Sequence, residues 1–149
     1  MTTHVLTQAE VEKAVRKRLP PELRRYRSIG QCDECRNGRR ARAFWSHQMR
    51  NEVLNAMARH AWAVLLADPR VPEWLEAVKV FRALPKEERQ NAPHPADEPE
   101  AVLREAAQEF FDAQPKSLRW FAGGPSSDAT CRIAVIHWLQ SGKPPMVVR

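Results

Sequence analysis

The sequence predicts an all-α fold: a single compact domain of about five main helices with a zinc-knuckle-like loop. Three observations carry this. Apolar residues recur every three or four positions, prolines cut the chain at helix-sized intervals, and no stretch sustains a two-residue alternation. A length of 149 residues fits one domain spanning 1–149.

Thr7-Gln8-Ala9-Glu10 reads as a capping box, and Val11, Ala14, Val15 and Leu19 follow at helical spacing, so a first helix is expected over 8–19. A short helix over 21–27, opened by Pro21, leads into a loop over 28–38. Between 39 and 67 there is no Gly or Pro, and Trp45, Met49, Val53, Met57, His60/Ala61 and Val64 form one stripe. This is the expected spine, ending at Asp68-Pro69.

Pro72 opens the next helix, whose stripe is Trp74, Leu75, Val78 and Phe81, up to Leu84-Pro85. Residues 86–96 read as one helical turn and a loop. Asp97 reads as the cap of a helix running to Gln114, with Leu103, Ala106, Ala107, Phe110 and Phe111 inward and Arg104, Glu105, Gln108, Glu109 and Asp112 in water. A short helix over 116–122 and a last one, capped by Ser126 or Ser127 and running to Gln140 with Gly142 beyond it, complete the chain.

Composition narrows the function classes. With 43% apolar residues the chain is too hydrophobic for a disordered tail, and no apolar run approaches the ~20 residues of a membrane span. The N-terminus has no signal-peptide order, so a cytoplasmic setting is expected and three cysteines are not a disulfide framework. Five glycines, none in a phosphate-loop, dinucleotide or nucleophile-elbow pattern, remove those enzyme classes.

The net charge of +6 is unevenly spread. Residues 1–70 hold 14 Lys+Arg and 7 Asp+Glu, a basic half, whereas residues 71–149 hold 10 and 11 and are near neutral. Between Lys13 and Arg42 lie eleven basic residues, nine of them arginine, against Glu22, Asp33 and Glu34. Arginine's planar donors suit phosphates and base edges. Arg24, Arg25, Arg27, Arg36, Arg39, Arg40, Arg42 and Arg50 are the candidate nucleic-acid contacts. On a helix beginning near 39, Arg39, Arg42, Ser46 and Arg50 share a face. Tyr26, Phe44 and Trp45 lie near enough in sequence to stack on unpaired bases. An acidic protein partner or a merely solvated surface are the competing readings.

Cys32-Asp33-Glu34-Cys35, with Gly38 shortly after, supplies half a zinc site, because a tight knuckle turns two thiolates toward one metal. His47 is the first choice for a further ligand and Cys131 the second, giving Cys32, Cys35, His47 and Cys131 as the candidate set for Zn. Unliganded thiols are the plain alternative, and Cys131 beside Ile133 and Val135 also reads as a small buried hydrophobe. A redox pair is disfavoured by the acids between the cysteines. His60 and His137 read as core or boundary residues, His4 and His94 as exposed, and Trp120 as the tryptophan most open to solvent.

These features lead to an expected function: a small non-enzymatic helical protein binding nucleic acid or a nucleoprotein complex through residues 13–50, with no membrane role. The alternative is a protein-interaction module, such as a phage or mobile-element inhibitor or an accessory subunit, that engages an acidic protein surface. An enzyme using Cys131 or a zinc-bound water is the weakest reading, since no base, nucleophile and oxyanion group assemble from the sequence.

Overall fold

The computed structural model describes residues 4–18, 36–122 and 128–145; of these, 36–43, 121–122 and 128–131 are described as backbone. Among the described residues there are seven helices and no strand: α1 (Gln8–Arg18), α2 (Arg36–Leu66), α3 (Val71–Ala83), α4 (Lys86–Asn91), α5 (Asp97–Ala113), α6 (Lys116–Ala122) and α7 (Asp128–Ser141). Five of them exceed ten residues, as the sequence predicts. The expected helix over 21–27, the cysteine knuckle and the Ser126/Ser127 cap lie outside the described residues.

α1 starts as its capping box requires, with Thr7 Oγ1 accepting the Glu10 amide at 3.2 Å. Its apolar side, Val11 and Val15, is buried. α2 begins three residues earlier than the sequence predicts and takes in Gly38, expected in the preceding loop. Arg36 to Leu66 makes an uninterrupted helix about 46 Å long.

α2 is the shared wall of two core clusters. Its N-terminal half contributes Trp45, Met49 and Val53, packed with Val11 and Val15 of α1 and Leu118 of α6. Its C-terminal half contributes Met57, Ala61, Trp62 and Leu65, packed with Trp74 and Val78 of α3, Leu103 to Phe110 of α5, and Val135 to Leu139 of α7. Leu6, Leu54 and Phe111 touch both clusters and make the core continuous. Phe110 is fully buried, with its ring 5.2 Å from that of His60, and Trp62 meets Trp138 edge-on at 5.8 Å. Burial of a side chain such as Phe110 stabilises the fold by about 2–3 kcal/mol.

α5 departs from its predicted start. Asp97 is not the cap: Ala96 occupies that position and makes no side-chain hydrogen bond, while the Asp97 carboxylate turns to Arg132 of α7. Its inward face is as predicted except that Phe111 is half-buried and Pro99 and Glu100 are buried as well. α7 ends at Gly142, whose φ of 73° and amide bond to the Trp138 carbonyl at 2.7 Å make the expected left-handed stop.

Candidate functional site

α1 lays Val11 and Val15 on α2 and turns its far side to water. Lys13, Arg16 and Lys17 are exposed there. Arg18 has another use: its guanidinium pairs with Glu52, a buried carboxylate on α2. One arginine-family charge of the basic stretch is therefore structural, since a buried carboxylate needs a cation beside it.

The N-terminal half of α2 carries the remaining candidates. Arg36, Arg39, Arg40 and Arg42 fall in its first two turns, where the backbone alone is described. Arg50 is exposed, as is His47. Arg24, Arg25, Arg27 and Tyr26 lie outside the described residues. Of the aromatic candidates, Trp45 is buried in the core and is unavailable for stacking, and Phe44 is half-buried against the same cluster.

α6 lies where the sequence predicts a short helix, over 116–122, but its place in the fold is not legible there. Leu118 seats this short helix in the cluster formed by α1 and the N-terminal half of α2, so Lys116, Arg119 and Trp120 join the basic end of the molecule. Trp120 is 74% exposed, as its sequence position suggested. The signal for that placement is the pattern Lys-Ser-Leu-Arg-Trp, one apolar anchor flanked by cations, which does not say which core the anchor joins.

The cysteine site is only partly placed. Cys32 and Cys35 lie outside the described residues, and Cys131 is in the first turn of α7 with its backbone alone described. The next residue, Arg132, donates to Asp97 and Glu100 at the start of α5, beside Glu98, which reaches Arg70 just past the end of α2. His47 stands 19 residues before that end, about 28 Å along the helix axis. Among the described residues, no three His, Cys, Asp or Glu side chains are grouped to hold a metal ion.

The starts of α3, α5 and α7 are laced by charge pairs. Asp68 accepts the Arg70 amide at 2.9 Å and its Nε at 3.0 Å through Oδ1, and Nη2 at 2.9 Å through Oδ2. The guanidinium hydrogen bond, helped by the amide, holds the Asp68 carboxyl below its usual value. Arg70 continues to Glu98 Oε1 at 2.8 Å and lies 5.0 Å above the Trp74 ring. Buried Glu100 receives Arg104 from its own helix and Arg132 from α7, the latter at 2.7 Å.

His94 is half-buried rather than exposed, its ring 4.9 Å from Phe81. Its Nδ1 accepts the Ala96 amide at 3.0 Å, which places the proton of the neutral ring on Nε2. Burial, seconded by the Arg132 charge, lowers its pKa despite Asp97 and Glu100. His137, expected in the core or at its boundary, is exposed, and His60 is half-buried.

No family model matches the chain, and neither does any curated protein or solved structure with which it was compared. No described helix is long and apolar enough to cross a membrane.

Proposed function

We propose that the protein is a non-enzymatic helical module that binds nucleic acid, alone or within a nucleoprotein complex, through its basic end. The observation carrying this reading is the density of positive charge over residues 13–50, combined with the packing of α1, the N-terminal half of α2 and α6 around one core cluster. Exposed Lys13, Arg16, Lys17, Arg50 and Lys116 then belong to one end of the molecule, beside an exposed Trp120 that suits stacking on an unpaired base.

Zinc enters this reading at Cys32 and Cys35, which precede α2 and would fix the segment that presents its first arginines. His47, on the same helix, is the first choice for a further ligand and Cys131, in the first turn of α7, the second. The remaining coordination is left to the segment between α1 and α2 or to a partner.

Fluorescence anisotropy with labelled single-stranded and duplex DNA and RNA, titrated at stepped KCl concentrations, tests the proposal. Each neutralised phosphate should add about 0.7–0.9 to the slope of log affinity against log salt. Affinity that ignores salt, or that survives the combined change Arg39→Glu, Arg40→Glu and Arg42→Glu, rules it out.

A second reading is a protein-interaction module, an inhibitor or accessory subunit whose arginines meet an acidic protein surface. It is favoured by Arg18, which already takes a carboxylate as its partner within the fold. After nuclease treatment, recovery of a defined protein and no nucleic acid would select it.

A further inference from the structure

α3 and the connection from α4 into α5 enclose an open groove of ≈ 870 Å³ on the side of the molecule built from the near-neutral half. Its floor is apolar, made by Trp74, Ala77, Val80, Phe81 and Leu84. Val80 points a β-branched side chain into water at 58% exposure, which a helix position with no partner to cover it does not require.

The charge of the lining decides what fits. Every Asp, Glu, Lys or Arg that lines the groove is acidic: Glu73, Glu76, Asp97 and Glu98. This occurs in a chain with 24 basic and 18 acidic residues, so it runs against the composition of the molecule. The cations that pair with three of these acids, Lys79, Arg132 and Arg70, stand outside the lining. An apolar floor with a carboxylate rim matches a segment that is apolar on one side and cationic on the other.

The walls are also held in place before anything binds. His94 is packed on Phe81 and hydrogen-bonded to the Ala96 amide, Pro93 and Pro95 restrict the connection, and Asp68, Arg70 and Glu98 tie the start of α3 to the start of α5. A groove that keeps its shape loses less entropy on binding. α3 spans about 20 Å, enough to flank roughly six residues of extended chain.

We infer that this groove is the docking site for a cationic, apolar peptide segment of a partner protein. The inference stands independently of nucleic-acid binding, since it uses the opposite half of the molecule. If both hold, the protein joins a nucleic acid to a polypeptide.

The test uses the full chain as bait for a random dodecapeptide display library, followed by calorimetry with the enriched peptides at 50 and 300 mM KCl. Enriched sequences should carry two or more Lys or Arg among apolar residues and bind severalfold more weakly at the higher salt. Glu73→Lys combined with Glu76→Lys, and separately Val80→Asp, should each weaken binding at least tenfold, while Lys116→Glu on α6 leaves it unchanged. These positions are exposed, so circular dichroism melts should overlay the parent's within a few degrees. Failure to enrich, enrichment of acidic or uncharged peptides, or affinity indifferent to the groove variants overturns the inference. So does a concentration-dependent dimer in sedimentation velocity that Val80→Asp abolishes, because a second copy would then be the occupant.

Discussion

Gln114 and Leu6 are joined by a 2.7 Å hydrogen bond from the Leu6 amide to the Gln114 Oε1, across 108 residues of chain. The same side chain donates through Nε2 to the His4 carbonyl at 3.0 Å and to the Phe110 carbonyl at 2.9 Å. A single buried amide thus closes α5 and anchors the strand of chain that leads into α1. Gln114→Ala should destabilise the protein by about 2 kcal/mol in urea unfolding, because it leaves partly buried backbone groups without partners. Gln114→Glu should be worse at pH 7, where a carboxylate would face two carbonyl oxygens, and should recover as the pH falls and the acid protonates. Equal effects at pH 7 and pH 4 would contradict this assignment.

Glu100 sets up a different asymmetry. It is buried, whereas its partners Arg104 and Arg132 reach water with side chains about 40% exposed. Removing both cations, by Arg104→Ala with Arg132→Ala, strands a buried carboxylate and should cost about 3 kcal/mol. Glu100→Gln leaves two solvated guanidiniums and should cost only about 1 kcal/mol. Chemical denaturation of the parent and the two variants checks the ordering; the reverse order would show that the arginines, not the carboxylate, are the dependent partners.

His94 makes stability depend on pH with a definite sign. Its native pKa lies below the ordinary 6.5, because burial and Arg132 disfavour the charged ring and Nδ1 is already an acceptor. The unfolded chain therefore binds the proton more readily, and the stability from this residue is complete above about pH 6.5 and is lost as pH falls through the lower native value. His94→Asn, which keeps an acceptor and removes the titration, should flatten the thermal-melt profile between pH 7 and pH 5. An unchanged profile would assign that loss to other groups.

Metal removal gives a fourth outcome. If Cys32 and Cys35 hold zinc, the purified protein should carry close to one equivalent, and Cys32→Ser with Cys35→Ser should abolish it. Chelation should lower the melting temperature and the affinity for nucleic acid together, since the ion would order the segment ahead of α2. Less than about half an equivalent of zinc in the parent would end the assignment.

The helices were legible in the sequence because their stops are local: Pro69, Pro72, Pro85 and Pro115 bracket elements whose apolar stripes then bury wholly or in part. What stayed hidden depends on contacts between elements. Asp97 has the chemistry of a cap, but Arg132, 35 residues later, takes its carboxylate. Arg18 reads as one more surface cation until Glu52 is seen buried opposite it. Glu100 reads as a first-turn acid on any helix, and nothing in its neighbours announces two arginines. The basic stretch was visible as composition, while the contribution of α6 to the same end needed Leu118 to be placed in the core. The acid-lined groove was invisible, because Glu73 and Glu76 are separated by more than 20 residues from Asp97 and Glu98.

α2 runs unbroken from arginines at one end to the residues that back α3 at the other. A rod of this kind has no break along its length at which to hinge, so the distance between its two ends is fixed. A ligand held near Arg39 and one held against α3 would keep a spacing on the order of 40 Å. Neither could be drawn toward the other by bending the protein.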